Sequence, residues 1–218
     1  MTAAPPNDIN ADNVPDAPGA DGSSRHAEKM KKKKAARDKI MAGKTAEKGL
    51  LIVHTGAGKG KSSAAFGMAM RCIGHEMKVG VVQFVKGAWD TGERRVLERF
   101  PDWCVFKAMG EGFTWETQDR DRDIAAARQA LAAARAMLID PAFRMVILDE
   151  VNIALRYGYL TIDEVMAAVA ARPAPTHAVL TGRNAPEALI EAADLATEMT
   201  LLKHPFRAGV KAQKGVEF

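Results

Sequence analysis

Three stretches of the chain carry residue types at spacings that could do chemistry, two of them suited to phosphate or its metal ion. The first is Thr55-Gly56-Ala57-Gly58-Lys59-Gly60-Lys61-Ser62-Ser63. An apolar run, Leu50-Leu51-Ile52-Val53-His54, precedes it, and Ala64-Ala65-Phe66-Gly67-Met68-Ala69-Met70-Arg71 follows. A strand, a glycine loop ending in Gly-Lys-Ser and a helix form the context a P-loop requires. The glycines let backbone N–H groups turn inward around phosphate oxygens, and the helix offers its positive N-terminal end to the same anion. Lys61 is placed to reach the outer phosphates and the Ser62 hydroxyl to ligate Mg²⁺. The competing interpretation is a glycine-rich turn with no ligand. The usual frame begins with Gly four residues before Gly-Lys-Ser. Here Thr55 holds that position and a second lysine, Lys59, sits inside the loop. The anion cradle survives the change, whereas the way a nucleotide lies in it is open.

The second stretch, Val146-Ile147-Leu148-Asp149-Glu150, is an apolar strand ending in two acids. A carboxylate at that strand end can bind Mg²⁺ directly or through water, across from Ser62. The alternative is that the pair only caps the next helix. The third is Glu111-Gly112-Phe113-Thr114-Trp115-Glu116-Thr117, a polar loop with two aromatics spaced to face one side of an extended segment. They either plug a gap in the core or meet a flat apolar ligand near the nucleotide. Arg183, in Thr181-Gly182-Arg183-Asn184, and Lys86, in Gln83-Phe84-Val85-Lys86-Gly87, follow strands and are candidate phosphate contacts or surface turn residues. His54 reads as a packed or hydrogen-bonded histidine. Asp119-Arg120-Asp121-Arg122-Asp123 places acids at a helix N-terminus, a structural role. No Ser-His-Asp, Cys-His or zinc-type spacing is visible.

These groups need a scaffold, and from residue 49 the pattern alternates strand with helix. The expected strands are 50–54, 79–84, 103–107, 144–149, 177–181 and 197–201. The expected helices are 61–74, 93–99, 119–139, 151–157, 161–171 and 186–193. Near-continuous apolar strands separated by helices indicate a parallel sheet covered on both faces. The fold expected is therefore α/β, a doubly wound, mostly parallel sheet of the P-loop NTPase kind. Ligands bind at the carboxyl ends of such strands, where every stretch above falls.

The 218 residues suit one domain, 49–218, with an extension. Residues 1–22 carry four Asp and no Lys or Arg, are rich in Pro, Ala and Gly, and are expected to be disordered. Residues 23–48 carry ten Lys or Arg against three acids and read as a weak helix with Ser23 or Ser24 as its cap. That segment is either a solvated basic arm or a flap over an anionic site. The rest is nearly neutral, so no chain-wide basic face argues for nucleic acid. Two cysteines, Cys72 and Cys104, form no disulfide framework. With no signal-like N-terminus and no apolar run long enough to span a bilayer, a cytoplasmic protein without membrane partners is expected.

The loop His54 to Gly67 resembles the P-loop of the ATP:corrinoid adenosyltransferases that make adenosylcobalamin. So do Val81 to Gly87, Gly112 to Thr117, Leu148-Asp149-Glu150, Thr181-Gly182-Arg183 and Gly209-Val210-Lys211-Ala212-Gln213-Lys214-Gly215. The similarity runs in order from about residue 25 to the end. It implies a homodimeric enzyme that moves the 5′-deoxyadenosyl group of ATP to a reduced corrinoid and releases triphosphate. It puts Gly56 to Ser62 on the triphosphate, with the nucleotide reversed relative to an ordinary P-loop enzyme. Candidate ATP contacts are thus Thr55, Gly56, Ala57, Gly58, Lys59, Gly60, Lys61, Ser62, Ser63 and Arg183. Lys59 and Lys61 would stabilise the leaving charge, and Ser62 and Glu150 would lie near Mg²⁺ or Mn²⁺. Phe113 and Trp115 match aromatics that face the corrin and help remove its lower axial ligand. The basic segment resembles one that closes over the partner subunit's site, and a flavoprotein is a candidate reductant. Ala57 stands where some members have Asn, so a side-chain contact to the nucleotide is lost there. An ordinary P-loop phosphotransferase and a nucleic-acid-binding module led by the basic arm are the competing functions.

Overall fold

The protein is described by a computed structural model covering residues 20–85, 91–109 and 119–217. Lys86, Phe113 and Trp115 lie outside the described residues. The chain divides into two compact units, 1–46 and 47–218. In the first, helix α1 spans Ala20–Ala42. It starts ahead of Ser23 and Ser24, which are therefore interior residues and not caps, and it takes in Ala20 to Gly22 of the stretch expected to be disordered. Its side chains from Ser23 onward are exposed, as its run of lysines requires.

In the second unit the described strands form a six-stranded sheet in the order β3-β2-β4-β5-β1-β6, every pairing parallel. The strands are β1 Leu51–Thr55, β2 Lys78–Gln83, β3 Cys104–Ala108, β4 Phe143–Asp149, β5 His177–Thr181 and β6 Leu195–Glu198. Between them run α2 Lys61–Gly74, α3 Gly92–Leu97, α4 Arg120–Ile139, α5 Val151–Arg156, α6 Ile162–Ala170 and α7 Glu187–Ala192. A short 3₁₀ turn, Pro205–Ala208, precedes the C-terminal tail.

Alternation along the strands divides the core in two. Leu51, Val53, Val82, Val146, Leu148, Ala178 and Leu180 face one layer with α4 and α6. Ile52, Val79, Val81, Ile147 and Val179 face the other, with α2 and α3. Both faces are buried, so the strands read as unbroken apolar runs. Each fully buried Leu or Val contributes roughly 1.5–3 kcal/mol relative to exposure. Helix α4 turns Ala127, Ala130, Leu131, Ala134, Met137 and Leu138 inward, a stripe at three- and four-residue spacing whose alanines let the helix lie close to the sheet. Asp119 caps it by accepting from the Arg122 amide at 3.1 Å, and Asp121 and Asp123 fill its first turn. Helix α6 begins with a reciprocal Thr161–Glu164 capping box.

The last strand departs from expectation. It lies at Leu195–Glu198 and not 197–201, and all four residues are exposed. An edge strand without a buried face lacks the apolar signal that marks the others. Just past it, the Met199 amide donates to the Thr55 carbonyl at 2.9 Å and the Met199 carbonyl accepts from the Gly58 amide, so the chain runs across the loop that follows β1.

Candidate active site

The carboxyl ends of β1, β2, β4 and β5 bring the chemistry together. The loop after β1 starts at Gly56 and ends at Gly60, with φ of 97° and 108°, a region open to glycine at little cost. Helix α2 begins at Lys61, so the loop delivers its lysine and the first unpaired helix amides to one point. His54 reaches forward, its protonated Nδ1 donating to the Lys61 carbonyl at 3.2 Å, as expected of a hydrogen-bonded histidine. The Thr55 hydroxyl accepts from the Ala185 amide at 3.0 Å, tying the phosphate loop to the turn after β5.

Lys61 is buried and folds back inside its own loop. Its Nζ donates to the Gly56 carbonyl at 2.9 Å and the Gly58 carbonyl at 2.6 Å. Burial lowers its pKa; the nearby Glu150 and Asp149 carboxylates oppose that, and Arg183 and Lys59 add to it. Those five charged groups therefore share one electrostatic neighbourhood. Arg183 itself is exposed, in a turn where Gly182 and Asn184 have positive φ.

The C-terminal segment shapes the cradle in a way the loop's own residues do not reveal. The Gly58 amide, expected to turn inward, donates to the Met199 carbonyl at 2.6 Å. A Cβ on Gly58 would lie 2.6 Å from that oxygen and 2.7 Å from the Thr200 oxygen. The glycine is thus required by close backbone approach. Lys59 projects outward and pairs with Glu217 near the end of the chain. Ala57 and Ser63 are exposed and Ser62 half-buried. Beside them an apolar groove of about 420 Å³ runs between Phe66 and Met70 of α2, Val96 of α3 and Val216 of the tail.

The two acids ending β4 have different fates. Asp149 is fully buried, and both its oxygens are engaged: Oδ1 accepts from the Thr181 hydroxyl at 2.8 Å and Oδ2 from Gln83 Nε2 at 2.9 Å. Glu150 adopts φ 62° at the head of α5 and makes no side-chain cap. It does not simply cap the helix, and of the two acids its carboxylate is the one not enclosed by neighbouring strands. Gln83 and Asn152, both buried, each carry an amide oxygen with no partner among the described residues.

Sequence reasoning missed Gln83, Asn152, Met199 and Glu217 as contributors. Gln83 left a signal, a lone amide closing an apolar strand. Met199 and Glu217 left none, since their contacts depend on where the chain returns after β6.

The comparisons agree with this geometry. Residues 47–218 match the family described as ATP:corrinoid adenosyltransferase BtuR/CobO/CobP. A corrinoid adenosyltransferase of Sinorhizobium sp. is 60% identical over 205 residues, covering 93% of this chain and 96% of the relative. One of Pseudomonas aeruginosa is 58% identical over 194 residues, covering 89% and 96%. One of Salmonella typhimurium is 44% identical over 194 residues, covering 89% and 98%. With the phosphate loop, the paired acids and the tail all inside the matched span, the chain belongs to the ATP:corrinoid adenosyltransferase family.

Proposed function

We propose that this chain transfers the 5′-deoxyadenosyl group of ATP to the cobalt of a reduced corrinoid. The cobalt(I) electron pair forms the Co–C5′ bond, the C5′–O bond breaks, and triphosphate leaves with the electrons of that C5′–O bond. The observation that carries this is Lys61, buried at the start of α2 and held on the Gly56 and Gly58 carbonyls. It preorganises positive charge where the leaving group's negative charge grows, which is the main demand of a displacement at carbon. No proton has to be removed from the nucleophile, so the site's cations and backbone amides suffice. Lys59 adds a second cation at the loop's outer side. Arg183, exposed in the turn after β5 and electrostatically close to Lys61, takes phosphate oxygens in this proposal.

A divalent cation fits the donors available. Ser62 and Glu150 offer a hydroxyl and a carboxylate, the oxygen ligands that Mg²⁺ or Mn²⁺ accepts alongside phosphate. Among the described residues no group of three or more His, Cys, Asp or Glu is placed to hold an ion by itself, which agrees with a site completed by substrate oxygens. When bound, the ion supplies charge that screens the triphosphate. Phe113 and Trp115 take the corrin face in this proposal, and the basic α1 segment acts as a flap in a homodimer. Residues 1–22 and 23–48 are then a tail and a flap outside the catalytic domain. An external reductant, for which a flavoprotein is the candidate, provides the electron. No described helix is long and apolar enough to cross a membrane, and a cytoplasmic location is proposed with that.

The test is a product assay from ATP, with and without chemically reduced corrinoid. Triphosphate and an adenosylated corrinoid, formed only when both substrates are present, are expected. ADP and phosphate formed regardless of corrinoid would overturn the proposal in favour of an ordinary phosphotransferase. In the same assay Phe113→Ala or Trp115→Ala should slow turnover of cobalt(II) substrate under mild reductant far more than that of pre-reduced cobalt(I). Equal slowing would remove the aromatics from axial-ligand displacement.

A further inference from the structure

We propose that Thr181 is the positioning residue that decides which of the two acids ending β4 faces the phosphate loop. The inference rests on the assignment of Glu150 to the metal made above. Thr181 is fully buried and so acts through its neighbours. Its hydroxyl donates to Asp149 Oδ1 at 2.8 Å and accepts from the Glu150 amide at 2.8 Å. A hydroxyl has one proton, and here that proton is committed to Asp149 while a lone pair is committed to Glu150. The rotor is therefore fixed, and one side chain on β5 controls both the last residue of β4 and the residue that follows it.

The consequence for Asp149 is withdrawal. Gln83 on β2 takes its other oxygen at 2.9 Å, so strands on both sides of β4 hold the carboxylate in the sheet. The consequence for Glu150 is direction. A φ of 62° is costly for a residue with a Cβ and persists only where the surroundings enforce it. The bond from its amide to Thr181 supplies that enforcement. The turn after β5 completes the arrangement. A Cβ on Gly182 would lie 3.2 Å from Glu150 Oε2 and 2.8 Å from the Asn152 Cβ. Asn152 Nδ2 in turn donates to the Gly182 carbonyl at 3.1 Å. The Glu150 side chain thus lies along the Thr181–Gly182 turn, within electrostatic reach of Lys61. A valine at 181 would keep the shape and lose both bonds. A serine would keep both bonds.

The experiment uses the full chain and measures Mn²⁺ binding in the presence of ATP, from the loss of the free-ion paramagnetic resonance signal. It also measures the metal dependence of transfer. Glu150→Gln should weaken Mn²⁺ binding, and Thr181→Val should weaken it by about tenfold, equal to about 1.4 kcal/mol. Thr181→Ser should restore it to near wild type. Combining Thr181→Val with Glu150→Gln should add little, because both act through one carboxylate. Thr181→Ala, which puts no methyl against Asp149, serves if the valine variant does not fold. Affinity lowered by Glu150→Gln but unchanged by Thr181→Val or Thr181→Ala would overturn the inference alone. So would a Thr181 effect undiminished in the Glu150→Gln background. Affinity untouched by Glu150→Gln would overturn the metal assignment and the inference with it.

Discussion

At the amino ends of the strands polar side chains close the backbone, and at the carboxyl ends they hold one another. Asp194 accepts from the Leu51 amide at 3.0 Å and from Lys48. The His177 Nδ1 accepts from the Leu50 amide at 3.0 Å. Thr176 donates to the Phe143 carbonyl at 3.1 Å, and Arg172 to the Thr176 and Val169 carbonyls. These contacts seal strand starts; among the described residues there, the Arg144 Nε is buried without a partner. The carboxyl ends gather Gly56, Gly60, Glu150, Gly182 and Asn184, all with positive φ, and the unpartnered oxygens of Gln83 and Asn152. Strain and unpaired polar atoms are denser at the carboxyl ends, whereas the described amino ends show Glu76, with φ 57° ahead of β2, and the Arg144 Nε. Changes at the two ends should therefore separate activity from stability.

The largest separation is expected at Lys61. Lys61→Ala should cut adenosyl transfer by a hundredfold or more, on the order of losing a preorganised electrostatic contact. Its melting temperature should hold or rise, since the change removes a buried ammonium. Steady-state assay and thermal melting check this. Near-normal transfer would break the comparison at its strongest point. Gly58→Ala comes next and should lower both quantities. The added methyl meets the backbone oxygens of Met199 and Thr200, which cannot yield without moving the tail. Overpacking of this kind costs about 1–3 kcal/mol. Each kcal/mol lowers the melting temperature by about 2–4 °C in a chain of this size. Transfer should fall more than tenfold, a drop of about 1.4 kcal/mol or more in transition-state binding. Lost stability with intact transfer would show that Met199 braces the loop without shaping it.

The way each region formed explains how far the sequence could be read. The phosphate loop is built from neighbours in sequence: an apolar strand, glycines, then a helix opening at Lys61. Its type and register follow from local pattern, and the unbroken apolar runs of the inner strands follow from burial on both faces. The Asp149–Thr181–Gln83 network joins residues on β4, β5 and β2. Nothing local says that β4 sits between the other two, so the motif showed a pair of acids but not which one is withdrawn. The contacts of Met199 and Glu217 with the loop are more remote still, because they depend on the path taken after an exposed edge strand. The sequence-based expectation sets that strand's start two residues and its end three residues too late, for want of an apolar face.

The smallest expected effect tests the amino end. Burial lowers the His177 pKa from its ordinary 6.5, and the Arg144 and Arg172 guanidiniums lower it further. The geometry agrees, since Nδ1 can accept from the Leu50 amide only when the ring is neutral. Between the folded pKa and 6.5 the unfolded chain binds a proton that the folded chain does not, so stability rises with pH across that window. On acidification the contribution is intact above 6.5 and is lost as pH falls through the window. An asparagine at this position keeps a neutral acceptor that cannot titrate. His177→Asn should therefore flatten the decline in melting temperature between about pH 7.5 and pH 5.5. One hydrogen bond is worth about 1 kcal/mol. That corresponds to a slope difference of about 2–4 °C. Transfer measured at about pH 7.5, where the wild-type ring is neutral, should be unchanged. A variant that melts with the wild-type slope would leave His177 without a role in sealing β1. A variant with altered transfer would show that the two ends are not energetically separate.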